Sequence, residues 1–165
     1  MSLDLYIISE KPRTIVGTGV YIRENGRTRE LKTPEEVRLY FPGKDVELRK
    51  YETDEVWHEN MTHNLGKMAR KVIGNKRNLY ELLWRPQEDQ VTQEWISEIL
   101  ECYKYILNNQ ELLKKMEEDN RIYEDDGSSY IWGSFDNLKN FVGSLVKCLI
   151  DLDISSEEYK LISDV

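Results

Sequence analysis

Residues 57–65 of the chain read WHENMTHNL and mark the point where strand-like sequence gives way to helix-like sequence. Before this stretch, short runs rich in β-branched and aromatic residues are separated by turn residues. After it, apolar residues recur at spacings of three and four, as on the buried face of a helix. The change predicts an α+β domain in which a small, mostly antiparallel sheet from the N-terminal half packs against three to four helices.

The N-terminal half carries the signals of that sheet. Residues 3–8, LDLYII, are apolar at most positions and are typical of a central strand. Asn25-Gly26 lies between two extended runs and predicts a hairpin, because both residues tolerate a positive φ. Thr33-Pro34 predicts the start of a short helix that Pro42-Gly43 must end. Residues 45–51 alternate polar and apolar side chains, which predicts a half-buried strand.

The C-terminal half carries the signals of the helices. Residues 91–94 open a long amphipathic pattern that continues to Met116, with a break expected near Asn108-Asn109. Residues 135–150 repeat the pattern behind Ser134 or Asp136 as the N-cap. Residues 158–165 have strand character, and we expect them to return to the sheet beside the N-terminal strand.

Length and composition favour one domain over residues 1–165, because 165 residues with 39% hydrophobic content can bury a core but hardly divide into two. The chain has no apolar run of about eighteen residues and does not begin like a secretory signal, so we expect a cytoplasmic protein. Cys102 and Cys148 lie in apolar helical patterns and are interpreted as small buried side chains. A net charge of −8 argues against indiscriminate binding to nucleic acids or anionic membranes.

The charge is unevenly distributed. Residues 1–60 carry a net charge of −2, residues 61–86 carry +5 and residues 87–165 carry −11. The positive block either faces an anionic ligand or forms a solvated helix face paired with the acidic part. The acidic segment 111–128 offers a different function, in which the protein occupies a basic surface on a host protein.

The polar residues around the strand-to-helix change are the candidate site. Asn64 is predicted to N-cap a helix over residues 65–73, whose free N–H groups favour an anion. A ligand there would be held by polar side chains at the corner and by an aromatic and a cationic side chain further on. The predicted ligand-binding residues are Asn60, Thr62, His63, Asn64, Lys67, Trp84 and Arg85. Two alternatives stay open: the corner residues serve only as backbone caps, and Trp84 belongs to the core.

Catalytic and metal chemistry are less favoured. His58 and His63 are five residues apart, one too many for the two histidines of a metalloprotease helix, and on a strand they would point to opposite faces. No nucleophile elbow is present, so we predict no catalytic residues, no metal site and no cofactor. A histidine-dependent enzyme is the weakest of the three functional hypotheses.

Residues 60–69, 79–86 and 132–135 carry a motif set, N-x-THNL-x-x-MA, LWRP and WGS. The set resembles a family of small uncharacterised proteins found in phages and prophages, which also open and close with a short strand. The resemblance covers residues 57–150 and the two ends, and it marks residues 10–56 as an insertion containing the hairpin and short helix. It implies a phage-type accessory protein, acting in the host cytoplasm, that captures a small anionic, nucleotide-like ligand and so antagonises host defence. The alternative within the same setting is an acidic interaction module that blocks a host protein.

Overall fold

The computed structural model describes residues 2–25, 27–84 and 90–164, without the side chains of residues 2, 3, 62 and 63. In these ranges the strands are β1 (Ser2–Gly17), β2 (Tyr21–Glu24), β3 (Arg27–Glu30), β4 (Arg49–Thr62), β5 (Arg121–Tyr123), β6 (Ser129–Ile131) and β7 (Tyr159–Asp164). The helices are α1 (Pro34–Tyr40), α2 (Gly66–Lys71), α3 (Leu79–Leu83), α4 (Gln93–Asn108), α5 (Gln110–Met116) and α6 (Phe135–Asp151), with 3-10 turns at His63–Leu65 and Glu117–Asn120. The predicted α+β class is confirmed.

The number of helices exceeds the prediction. The described residues between 66 and 151 form five helices, because α2 and α3 are separate short helices and the chain breaks at Asn109 between α4 and α5. That break is where the sequence placed it. The acidic part of the chain also contains the antiparallel pair β5–β6, for which the sequence showed no strand signal.

The main sheet has the strand order β4-β1-β7, and both pairings are antiparallel. The first run of the sequence is therefore a central strand, and the C-terminal strand does return beside it, as predicted. The strand predicted over residues 45–51 begins only at Arg49. Residues 45–48 stay irregular because β1 ends at Gly17, opposite Arg49, and provides no partner for them.

The core lies between one face of this sheet and the helices, with buried side chains from α2, α3, α4 and α6. Leu5 and Ile7 of β1 are fully buried. Trp57 on β4 packs against Phe141 on α6 in a T-shaped contact, with 5.5 Å between the ring centroids. Its Nε1 also donates a hydrogen bond to Ser144 Oγ at 3.0 Å. These contacts fix α6 against β4 by both apolar packing and a hydrogen bond.

The two cysteines lie on these helices. Cys102 is buried and Cys148 is half-buried. Burial raises the pKa of the Cys102 thiol to about 12 and that of Cys148 to about 11. Both are therefore neutral thiols that pack as small apolar side chains, as the sequence indicated.

Three of the described helices begin at a hydroxyl N-cap, and the caps of α1 and α6 were predicted from the sequence. At each start a hydroxyl oxygen accepts a hydrogen bond from the N–H three residues later. The caps are Thr33 for α1, Thr92 for α4 and Ser134 for α6. In the described part of the chain, no helix is long and apolar enough to cross a lipid bilayer.

The β2–β3 hairpin is also confirmed. Glu24 pairs with Arg27, and Asn25 has the positive φ of 54° that the predicted turn requires, while Gly26 lies outside the described residues. The hairpin is tied to β4 by Glu59, whose carboxylate is 2% exposed and accepts a hydrogen bond from the Thr28 N–H. This tether places the hairpin beside the polar residues at the end of β4.

Candidate functional site

The strand-to-helix corner differs from the predicted helix start. β4 ends at Thr62, the 3-10 turn follows at once, and α2 begins at Gly66 with Leu65 at its N-cap position. Leu65 at the N-cap position makes no side-chain cap hydrogen bond, so the prediction that Asn64 is the cap is wrong. The reason is that Asn64 lies inside the 3-10 turn, whereas a cap needs extended backbone just before the helix. The six residues of α2 form a much shorter helix than the nine predicted, and its N-terminus is continuous with the turn.

Asn60, the first predicted site residue, holds an arginine from the hairpin. Its Nδ2 donates to Asp4 Oδ1 at 2.8 Å, which fixes the amide orientation. Arg23 then donates from Nη1 to Asn60 Oδ1 at 2.9 Å and from Nη2 to the Asn60 carbonyl at 2.8 Å. Asp4 and Asn60 together therefore position the Arg23 guanidinium.

The charge of Arg23 is not neutralised by a direct ion pair. Among the residues that the structure describes, no carboxylate lies within ion-pair distance of its guanidinium, and its two hydrogen bonds go to neutral acceptors. A guanidinium has five N–H donors, so three are free for another acceptor. The neighbouring Glu24 is paired with Arg29 at 3.2 Å.

Arg23 borders a cavity of about 370 Å³ that we call the Arg23 cleft. The cleft is lined by Arg23, Glu24, Asn25, Met61, Leu65, Trp132, Gly133 and Asn137. Trp132 is 47% exposed and presents its ring to solvent at this opening. Gly133 has a φ of 101°, and a Cβ there would lie 3.0 Å from Leu65 Cδ2, so only glycine allows this wall to close.

Asn64 and Lys67, two further predicted site residues, line a separate opening of about 300 Å³. Asp119, Asn120, Arg121 and Ile122 form its other wall. Lys67 is exposed, and within the described ranges no ion pair involves it. Arg121 is instead held by both oxygens of Glu118, at 2.8 and 2.9 Å. The two openings adjoin, because a Cβ built on Gly133 of the first would lie 3.3 Å from the Cβ of Asn64 in the second.

Trp84 lies in the core. It is 4% exposed and stacks on Tyr80 at 5.7 Å between ring centroids, and the Arg70 guanidinium lies over the Tyr80 ring at 4.0 Å from its centroid. Trp84 was predicted as a ligand contact, with a place in the core as the alternative, and the structure has it in the core. Arg85 lies outside the described residues, as do the side chains of Thr62 and His63, and their predicted roles stay predictions.

His58, the other histidine of the motif, lies on the opposite face of β4 from Glu59. His58 stacks on Tyr6 at 4.2 Å, and its Nε2 lies 3.4 Å from Asp4 Oδ1. Asp4 Oδ1 therefore lies within hydrogen-bond distance of both His58 and Asn60. Because Asn60 also binds Arg23, these contacts connect this face of the sheet to the Arg23 cleft.

Sequence reasoning missed Arg23 and Asn137. Arg23 is 37 residues from Asn60 and reaches it only because the hairpin folds over β4. Nothing near it in the sequence marks it as a ligand contact. Trp132-Gly133 was marked only by the motif set, and the structure places this pair at the cleft.

Glu59 couples the hairpin to pH. Burial raises the pKa of the Glu59 carboxyl, and the Thr28 N–H and Arg27 only partly oppose this effect. The native state therefore binds a proton more tightly than the unfolded chain, whose glutamates titrate near pH 4.3. Stability contributed by the protonated carboxyl is complete below that pH and is lost as pH rises through the higher native pKa.

We expect Glu59→Gln to remove this pH dependence, since glutamine can still accept from the Thr28 N–H but does not ionise. Relative to wild type, the variant should gain stability as pH rises from 4 to 7. Urea denaturation at several pH values measures the difference, with Glu55→Gln as a control on an exposed residue of the same strand. Parallel pH curves for wild type and Glu59→Gln would contradict the expected shift.

Comparison of the chain with protein-family models, with curated proteins and with solved structures found no match. The geometry of the Arg23 cleft is therefore the main support for a function.

Proposed function

We propose that the protein binds, without chemical turnover, a small anionic ligand with a planar ring, such as a nucleotide, in the Arg23 cleft. The observation that carries the proposal is the Arg23 guanidinium, which is oriented by Asn60 and has no direct ion pair within the described chain. In the phage-type accessory role that the sequence resembles, capture of such a ligand would antagonise host defence. The sequence predicted an anionic ligand at the start of the helix that follows β4. We place the ligand in the neighbouring Arg23 cleft instead, where the β2–β3 hairpin supplies the cation.

Arg23 suits an anion for three reasons. Its charge is permanent, its free donors lie in one plane, and that geometry matches two oxygens of a phosphate or carboxylate. Two of its hydrogen bonds hold it in place before any ligand binds, which lowers the entropic cost of binding. Lys67 and Asn64 in the adjoining opening could receive a second anionic group of a longer ligand.

The rest of the cleft suits a planar ring. The half-exposed Trp132 offers a stacking surface, and the amides of Asn25 and Asn137 provide hydrogen-bond donors and acceptors. A volume of about 370 Å³ lies at the small end of typical ligand pockets. A single nucleotide or a similar metabolite fits this size better than a large cofactor.

The first test is a thermal-shift screen with ADP, ATP, ADP-ribose and cyclic dinucleotides as the probes. Binding to the native state alone raises the melting temperature, by an amount set by ligand concentration and affinity. We expect a shift of several degrees with one of these classes. An absence of any shift would contradict the proposal for nucleotide-like ligands.

The active probe should then lose affinity in two variants. Arg23→Ala removes charged hydrogen bonds and should raise the Kd roughly ten- to one hundredfold. Trp132→Ala removes the stacking surface and should raise it by about fivefold or more. Isothermal titration calorimetry measures both changes.

Matched controls locate the ligand. Arg38→Ala removes an equally cationic side chain from α1, which does not line the cleft, and should leave the Kd unchanged. Lys67→Ala and Asn64→Ala test the adjoining opening. A loss of binding in Lys67→Ala but not in Arg23→Ala would move the site to that opening and overturn the proposed cleft.

A further inference from the structure

The β5–β6 pair forms a second exposed surface, whose residues do not line the Arg23 cleft. The β5–β6 pair, residues 121–131, forms a two-stranded ribbon that we call the acidic ribbon. Tyr123 on β5 is 76% exposed and Tyr130 on β6 is 46% exposed. Tyr123 faces Ser129 across the ribbon and Tyr130 faces Ile122, so the two rings lie on opposite faces. Each face of the ribbon therefore leaves a large aromatic ring uncovered.

The charge beside these rings is negative and largely uncompensated. Glu124 and Asp125 at the tip are exposed, and no hydrogen bond or ion pair of their carboxylates occurs within the described chain. Their neighbours are already engaged: Asp126 accepts from Ser128, and Glu118 holds Arg121. The two carboxylates follow the exposed Tyr123 directly in the chain and, among the described residues, make no ion pair with the protein's own cations.

We propose that the acidic ribbon docks an arginine-rich, extended segment of a partner protein. A guanidinium can stack on a tyrosine ring and pair with a nearby carboxylate at the same time, which a compact ammonium does less well. The tip charge repels nucleic-acid and lipid phosphates, so a basic protein segment is the occupant that the surface favours. This docking is independent of ligand binding in the Arg23 cleft.

The test uses a fluorescein-labelled peptide of six Arg-Gly repeats, with anisotropy measured at 50 mM NaCl. Tyr130→Ala and Tyr123→Ala should each weaken binding about three- to tenfold. Tyr40→Ala is the matched control, because Tyr40 is 47% exposed against 46% for Tyr130, and it should bind like wild type. A six-repeat Lys-Gly peptide should bind less tightly than the arginine peptide.

Charge variants form the second arm. The double variant Glu124→Gln, Asp125→Asn should weaken binding about tenfold and reduce its salt dependence. The control double variant Glu101→Gln, Asp151→Asn removes two exposed charges from α4 and α6 and should have little effect. All these variants leave Trp132 and Arg23 intact, so nucleotide binding should persist in them.

Three results would overturn the docking proposal. In the first, the tyrosine variants bind the arginine peptide as tightly as wild type, which would mean that diffuse charge attraction alone accounts for the binding. In the second, the two control variants lose as much affinity as the ribbon variants. In the third, sedimentation shows that wild type self-associates at low salt and that the ribbon variants do not, which would make a second copy of this chain the occupant.

Discussion

Replacing Arg77 with methionine is expected to lower the free energy of unfolding by about 3 to 5 kcal/mol. Glu98 on α4 is 3% exposed, and both of its carboxylate oxygens are bound by the Arg77 guanidinium, from Nε at 3.2 Å and from Nη2 at 2.5 Å. Methionine retains much of the side-chain volume but none of the charge. The carboxylate would then lie in the interior without the two hydrogen bonds that offset its loss of water.

The adjacent residue provides the control. Lys76 pairs with Glu94 at 3.1 Å, but both side chains are about two-thirds exposed. Lys76→Met should therefore cost less than about 1 kcal/mol. Urea denaturation of the two variants measures the contrast. A second test is Arg77→Met combined with Glu98→Leu, which removes the buried charge as well and should recover most of the stability. Equal costs for Arg77→Met and Lys76→Met would show that Glu98 does not depend on the pair.

Local features of the fold could be predicted from the sequence. The Asn25 turn, the Thr33 and Ser134 caps and the break at Asn109 each depend on a few neighbouring residues. Turn and cap preferences come from the conformational and hydrogen-bonding properties of single side chains, which distant contacts rarely overrule. The C-terminal strand also followed from a local pattern, and it pairs with β1 as expected.

The candidate site could be predicted only in part. Asn60 was recognised as a polar residue at a corner, but its partners Arg23 and Asp4 lie 37 and 56 residues away and meet it only in the folded sheet. The Glu59 tether that places the hairpin is likewise a contact between distant segments. Such contacts depend on topology, and no spacing rule encodes them.

The wrong prediction at Asn64 has a similar origin. Asparagine before an apolar run is a good cap signal, yet the chain enters a 3-10 turn there because Leu65 must be buried. Leu65 packs against Gly133, whose lack of a side chain makes room for it. Tertiary packing of one leucine thus outweighed the local preference of its neighbour. The same contact forms a wall of the Arg23 cleft, so the departure from the local rule lies at the proposed site.

Phe141→Ala is expected to lower the free energy of unfolding by about 3 to 5 kcal/mol, because it removes a fully buried ring from the face of α6 that meets the sheet. The loss also leaves Trp57 without its edge-to-face partner, although the bond from Trp57 Nε1 to Ser144 remains possible. Phe41→Ala is the matched control, since Phe41 is 41% exposed and should cost less than about 1 kcal/mol. Urea denaturation gives both values, and near-ultraviolet circular dichroism reports the Trp57 environment. A small loss for Phe141→Ala with an unchanged tryptophan signal would mean that α6 does not pack on β4 through this pair, and the position of Trp132 and Asn137 at the cleft would lose its structural support.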